Sequence, residues 1–183
     1  MRIALPLTLA LLAAIPLRGG DPVNPDSVII QDFEKRVSDY VQLRKTEESR
    51  LTELRATESS EKIFHSQHQL AEAIMRARPS ARQGDIFTPA IDKEFRRLMG
   101  FAMQPEDAAR IRKSLRDAEP VAGRPQVNHP YPSGTPVQST PPSILLNLPH
   151  LPPDIEYRFV SRTLILLDAK ANLIIDFMTN LGL

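Results

Sequence analysis

Ten of the thirty-four residues from 120 to 153, PVAGRPQVNHPYPSGTPVQSTPPSILLNLPHLPP, are proline. Each fixes its own φ and removes a backbone donor, so this stretch cannot be helix and makes poor strand. It cuts the chain into a helical part before it and a short β-rich part after it. Two states are open to it: a solvated linker between modules, or an ordered strap laid across the protein. The apolar residues Val127, Tyr131, Val137, Ile144, Leu145, Leu146, Leu148 and Leu151 favour the strap beyond Pro142, because a free linker gains nothing from Ile-Leu-Leu. Residues 143–148 are expected to pack on the sheet as a short turn or strand.

Behind the prolines, 155–178 reads IEYRFVSRTLILLDAKANLIIDFM. Ile155, Tyr157 and Phe159 alternate with Glu156 and Arg158, the period of a half-buried strand, while 163–167 and 173–177 are more continuously apolar. Between those runs Asp168-Ala169-Lys170-Ala171-Asn172 fits a hairpin loop, with Asp168 capping backbone N–H groups and Asn172 at positive φ. Ser161-Arg162 is a tight turn or a bulge. A three-stranded antiparallel meander of 155–160, 163–168 and 172–177 is the simplest arrangement, its apolar face covered by the helices or the strap.

Upstream the apolar period is helical. Residues 21–27 read as a tail, and a helix starts near Ile30 with Phe33, Val37, Tyr40 and Val41 on one stripe. Arg44, Lys45, Glu47, Glu48 and Arg50 resemble a solvated face. A heptad carried on from Phe33 meets Arg44 and Glu47, which disfavours a long coiled coil. Residues 56–60, ATESS, form a break with Ser59 or Ser60 as cap. Over 61–78, Ile63, Leu70, Ile74 and Ala77 share a side, with Phe64 and Ala71 at its edge. Arg78-Pro79 closes that helix, Gly84-Asp85 turns, and Ile86 and Phe87 plug onto the helices. Thr88-Pro89 opens a helix burying Ile91, Phe95, Leu98 and Met99. Pro105 opens another, with Ala108, Ile111, Leu115 and Ala118 inward. The expected fold class is α+β: an N-terminal helical region (21–119), a proline-rich strap (120–154) and a C-terminal meander (155–183).

Residues 1–18, MRIALPLTLALLAAIPLR, place Arg2 before an apolar run from Ile3 to Leu17 that is too short for a confident membrane span. This predicts a signal peptide over 1–20, cleaved at Leu17-Arg18-Gly19 or after Ala14. An uncleaved anchor and a buried N-terminal segment are the alternatives. Two of the 23 basic residues, Arg2 and Arg18, lie in this leader, so the rest of the chain holds 21 against 22 acids. Such balance gives no ground for nucleic acid, which needs a concentrated positive surface. The absence of cysteine excludes thiolate metal sites, thiol nucleophiles, disulfides and lipidation on cysteine.

Opposite the apolar side of the 61–78 helix, Glu61, His65, His68 and Glu72 fall at i, i+4, i+7 and i+11 within a narrow stripe. Imidazole and carboxylate at such spacings share divalent cations such as Zn²⁺, Ni²⁺ or Co²⁺. The spacing differs from a zinc-protease motif, and the stripe is longer than one coordination sphere. At most two or three of its members could therefore reach one ion, completed by His129 or His150 if the strap folds back; the first reading is an ordinary polar face that contains two histidines, and a metal site is the alternative. Arg96, Arg97, Arg110, Arg112, Lys113 and Arg116 could meet an anionic ligand, but interleaved acids and the lack of aromatic neighbours favour solvated faces. No serine sits in a nucleophile elbow and no glycine loop cradles phosphate. Asp168 and Asp176 have structural work as turn cap and strand-edge residue.

The order Leu151-Pro152-Pro153, Tyr157-Arg158-Phe159-Val160, Leu164 to Asp168 and Asn172-Leu173-Ile174-Ile175-Asp176 resembles the C-terminal hairpin of the periplasmic nickel/cobalt-homeostasis protein family. That family has glycine in the turn where Ala171 and Asn172 stand here. Over more of its length, through RAR-x-x-A-x-x-GDIF and YRF…LIL-x-D…NLI-x-D, the chain resembles exported bacterial proteins of uncharacterised role. The first resemblance implies a periplasmic, metal-related role. The expected function is an exported, non-enzymatic, envelope-associated interaction module using the helical surface or the open edge of the sheet. The alternative is a periplasmic divalent-metal-binding or metal-responsive protein. The partner would be a protein or envelope component, not nucleic acid, with membrane contact only through an uncleaved leader.

Overall fold

The computed structural model describes residues 25–51, 59–102, 124–132, 138–160 and 162–182, together with 108, 109, 111 and 113. Helix α1 spans Pro25–Glu48, starting five residues before the expected Ile30. Pro25 sits in the first turn, where a missing N–H costs nothing, and Asp26 beside it meets the positive end of the helix dipole. Its buried stripe is Phe33, Val37, Tyr40 and Val41, continued by Arg44. Helix α2 spans Ser60–Ala77, with Ser59 as N-cap accepting the Lys62 N–H at 3.4 Å; the break expected just before it lies mostly outside the described residues. The core reaches only the later turns of α2, burying Leu70, Ala71, Ala73 and Ile74. Ile63, Phe64 and Ala77, expected on the apolar side, are exposed.

Helix α3 spans Pro89–Ala102 and buries Ile91, Phe95, Met99 and Ala102. Residues 108, 109, 111 and 113 are helical, with Ala108 and Ile111 buried. The other residues assigned to that helix, including Arg110, Arg112, Leu115, Arg116 and Ala118, lie outside the described residues.

The meander has its expected strands, β2 (Ile155–Val160), β3 (Thr163–Asp168) and β4 (Leu173–Met178), and a two-residue strand β1 (Gln138–Ser139) joins it from the strap. All pairings are antiparallel in the order β1-β2-β3-β4. Val160 pairs with Thr163; Ser161 of the expected tight turn or bulge lies outside the described residues. The irregularity lies in the next pair, where the partners shift from Leu166↔Asp176 to Leu167↔Ile174. Both faces of the sheet are apolar. Tyr157, Phe159, Leu164, Leu166 and Ile175 pack with the helices in the main core, whereas Val160, Ile165, Leu167 and Ile174 form a second cluster with Tyr131 and Phe177.

The strap occupies both edges of this sheet. On the β4 side, the Asn128 N–H donates to Ile174 O at 2.8 Å, the Ile174 N–H to His129 O at 3.0 Å, and the Tyr131 N–H to Asn172 O at 2.9 Å. On the β2 side, β1 pairs with Arg158 and Phe159, and Thr140 Oγ1 donates to Tyr157 O at 2.7 Å. The strap thus engages part of each edge expected to stay open on a bare meander, Arg158 and Phe159 on one side and Asn172 to Ile174 on the other, which shortens the template for edge pairing. Residues 142–148 form not a strand but a single turn, α4 (Pro142–Leu145), with Pro142 in its first position. Ile144 and Leu148 point into the core; Leu145 and Leu146 do not.

Candidate functional site

Three places gather polar or exposed apolar groups. The first surrounds Asp168, fully buried at the end of β3. Its Oδ1 accepts the Lys170 and Ala171 N–H groups at 3.0 and 3.1 Å, the expected turn cap. Its carboxylate also takes the Tyr40 hydroxyl at 2.8 Å and Arg44 Nη1 at 3.2 Å, both from α1. Arg44, read from sequence as part of a solvated face, is only 4% exposed. The available signal was its register: Phe33, Val37, Tyr40 and Arg44 continue one stripe, and a cation there requires a buried anion. Burial, reinforced by the adjacent Asp168 carboxylate, pushes the Tyr40 phenol well above its usual range, so it stays a donor. Tyr40, Arg44 and Asp168 are all buried, and the cluster joins α1 to the hairpin.

The second is Asp176, read as a strand-edge residue and in fact fully buried. Its carboxylate accepts the N–H groups of Gly84, Ile86 and Phe87 at 3.0, 2.8 and 2.8 Å. The turn needs Gly84 at φ +90°, a conformation side chains disfavour. Asp176 thereby fixes the loop that lays Ile86 and Phe87 into the core. Burial raises its pKa, and the four backbone N–H bonds it accepts oppose that rise. Two sequence phrases distant in the chain, GDIF and NLIIDF, are thus one hydrogen-bonded unit.

The Glu61/His65/His68/Glu72 stripe lies on exposed turns of α2. Of the four, His68 and Glu72 meet, Nε2 to Oε1 at 3.3 Å, and Glu72 is shared with Arg76 at 3.7 Å. The His68 ring stacks on exposed Phe64. His129 lies at the β4 edge and His150 beside β2. No group of three or more His, Cys, Asp or Glu side chains disposed to hold a metal ion occurs among the described residues. Arg96 and Arg97 act as staples. Arg96 holds Asp92 and donates to Thr179 O and Asn180 O, while Arg97 holds Glu94 and Asp26.

The third place is a groove of about 690 Å³ between the strap and β2. Pro142, Leu145, Leu146, Pro149 and Leu151 line one side, and Ile155, Glu156 and Arg158 the other. Its geometry is fixed from behind: Tyr157 Oη donates to Pro149 O at 3.0 Å and its carbonyl is held by Thr140. Leu146 stands at the lip, 86% exposed, the most exposed large apolar side chain among the described residues. Glu156 and Arg158, two apart on the strand, share a face and form an ion pair. The Ile-Leu-Leu run, expected to pack on the sheet as a whole, does so only through Ile144. The helical turn directs Ile144 and Leu148, four apart, to one side and Leu145-Leu146 to the other.

A smaller hollow of about 560 Å³ lies at the start of α3, where Arg82 and Arg96 are matched by Asp85 and Asp92. No helix among the described residues is long and apolar enough to cross a membrane. No family model, curated protein or solved structure matches the chain.

Proposed function

We propose that this chain is an exported, non-enzymatic interaction module of the cell envelope that engages its partner through the groove between α4 and β2. The observation that carries this reading is Leu146, exposed on a proline-braced turn beside an apolar hollow. Exposed apolar side chains are ordinary when scattered, but here Leu145 and Leu146 adjoin a shaped concavity. Holding such a surface on fixed backbone lowers the ordering cost that binding otherwise pays. The apolar leader followed by glycines supports export, and the charge balance of the remainder supports a partner other than nucleic acid.

Two measurements test this. A photoreactive residue at position 146 is expected to give discrete adducts in cells, while the same residue at exposed Lys93 on α3 gives none. Equal labelling at both positions, or none at either, overturns the docking site. N-terminal sequencing of protein from an extracytoplasmic fraction is expected to begin beyond the leader; a cytosolic chain still beginning at Met1 overturns export.

A further inference from the structure

We infer that the partner seated in this groove is a second copy of the same chain, related by a two-fold axis; this rests on the groove being the docking surface. The surface carries both halves of a self-complementary contact. An apolar knob, Leu146, projects beside an apolar hollow lined by Pro142, Pro149, Leu151 and Ile155. In a two-fold interface the same patch meets itself, residue i touching j while j touches i. The knob of each copy then enters the hollow of the other, and both apolar surfaces leave water together.

Charge agrees with this arrangement. Glu156 and Arg158 stand two apart on one face of β2, with side chains 39% and 25% exposed at the groove. Antiparallel apposition of two such strands brings Glu156 of one copy to Arg158 of the other, and the reverse. Four charges then alternate around the axis, and each copy's own pair extends into a network. A partner of one dominant charge would gain nothing from a surface that is neutral within two residues. The patch is smaller than the roughly 20–30 residues a side of a standard interface, so the dimer is weak and concentration-dependent.

The test is analytical ultracentrifugation of the full chain, as it accumulates in the expressing cell, from low micromolar to several hundred micromolar. Wild type is expected to pass from monomer to dimer. Leu146→Asp, Glu156→Arg and Arg158→Glu are each expected to weaken self-association about tenfold or more, since like charges or a buried carboxylate oppose the contact. The deciding arm is a mixture. Glu156→Arg protein and Arg158→Glu protein, each monomeric alone, are expected to form a mixed dimer, because one surface is then wholly basic and the other wholly acidic. Neither variant keeps its internal pair, so restored association on mixing reports contact between chains and not repair within one. A wild type that stays monomeric overturns the second copy as partner while leaving docking itself to the cross-linking result. A dimer indifferent to these substitutions, or variants that fail to associate on mixing, overturns this surface as the interface.

Discussion

Asp168 ties the hairpin turn to α1. Four donors converge on one buried carboxylate, two from the hairpin turn and two from α1. Asp168→Asn leaves the Arg44 guanidinium with only the part-exposed Asp154 at 3.4 Å, and its Nε has no partner among the described residues. Breaking a buried pair by removing one member costs about 3–5 kcal/mol, and denaturant unfolding should show that loss. Tyr40→Phe removes one neutral donor from a charged acceptor and should cost about 1.5–3 kcal/mol. Asp176 gives a prediction in pH. Burial raises its pKa in the folded chain, so folding binds its proton more tightly than the unfolded chain does. Its contribution to stability is then greatest below the ordinary carboxylate range and fades as pH rises through the elevated folded value. Asp176→Asn abolishes that titration and also sets an amide N–H₂ against backbone donors. The variant is expected to be less stable at every pH, with the deficit larger at pH 4 than at pH 7; urea melts at both values check the order. The turn cap on Asp168 and the positive φ of Asn172, at 51°, were legible because both follow from local chemistry. Arg44 and the loop partners of Asp176 were not, because their meaning is set by residues about 90–124 positions away, and sequence patterning carries no such distance information.

At the scale of elements, strand limits were legible nearly to the residue because apolar runs bounded by Asp, Asn and Arg leave little choice of register. Helix α2 was less so: periodicity shows which side is apolar, not how far along the helix the core extends. Its first turns keep the pattern yet stand free, with Phe64 57% exposed. The strap was legible as ordered but not as a clasp on two sheet edges, since edge pairing uses backbone groups that proline-rich sequence does not advertise. Helix α1 is held by an aromatic cluster in which the Phe33 ring lies 4.8 Å from Phe95, 5.8 Å from Phe87 and 6.5 Å from Tyr157. One side chain from α1 therefore touches α3, the Asp176-bound loop and β2. Phe33→Ala is expected to cost about 3–5 kcal/mol through lost burial and the cavity left behind. Phe33→Leu should recover part of it, which thermal or denaturant melts would show. Beside the strap, Asn172→Gly keeps the positive-φ turn, since glycine adopts that conformation freely. It loses the bond from Asn172 Nδ2 to Tyr131 O at 2.9 Å, so its cost should be near that of a single hydrogen bond.

For the molecule as a whole, the division into helical region, strap and meander describes the order of the chain and not separable domains. One core takes Phe33 from α1, Phe95 from α3, Ile144 and Leu148 from the strap, Tyr157 from β2 and Ile175 from β4. No segment covers its own apolar surface. The meander is the extreme case, because both of its faces are apolar and the strap pairs with part of each edge. Three strands without those covers would expose unpaired backbone beside hydrophobic faces, which is the pattern of an aggregating peptide. The helical region lacks the strand that closes Tyr40 and Arg44, and without Asp168 it would bury a guanidinium with no anion. The expected outcome is that residues 21–119 and 155–183, produced separately, give no cooperative unfolding transition, the second being insoluble. The intact chain should unfold in one transition, coincident by far-ultraviolet circular dichroism and tyrosine fluorescence, with a urea slope within about 1–3 kcal/mol/M. Two separated transitions, or either fragment folding alone with native-like amide dispersion, would show that the shared core is not what holds this protein together.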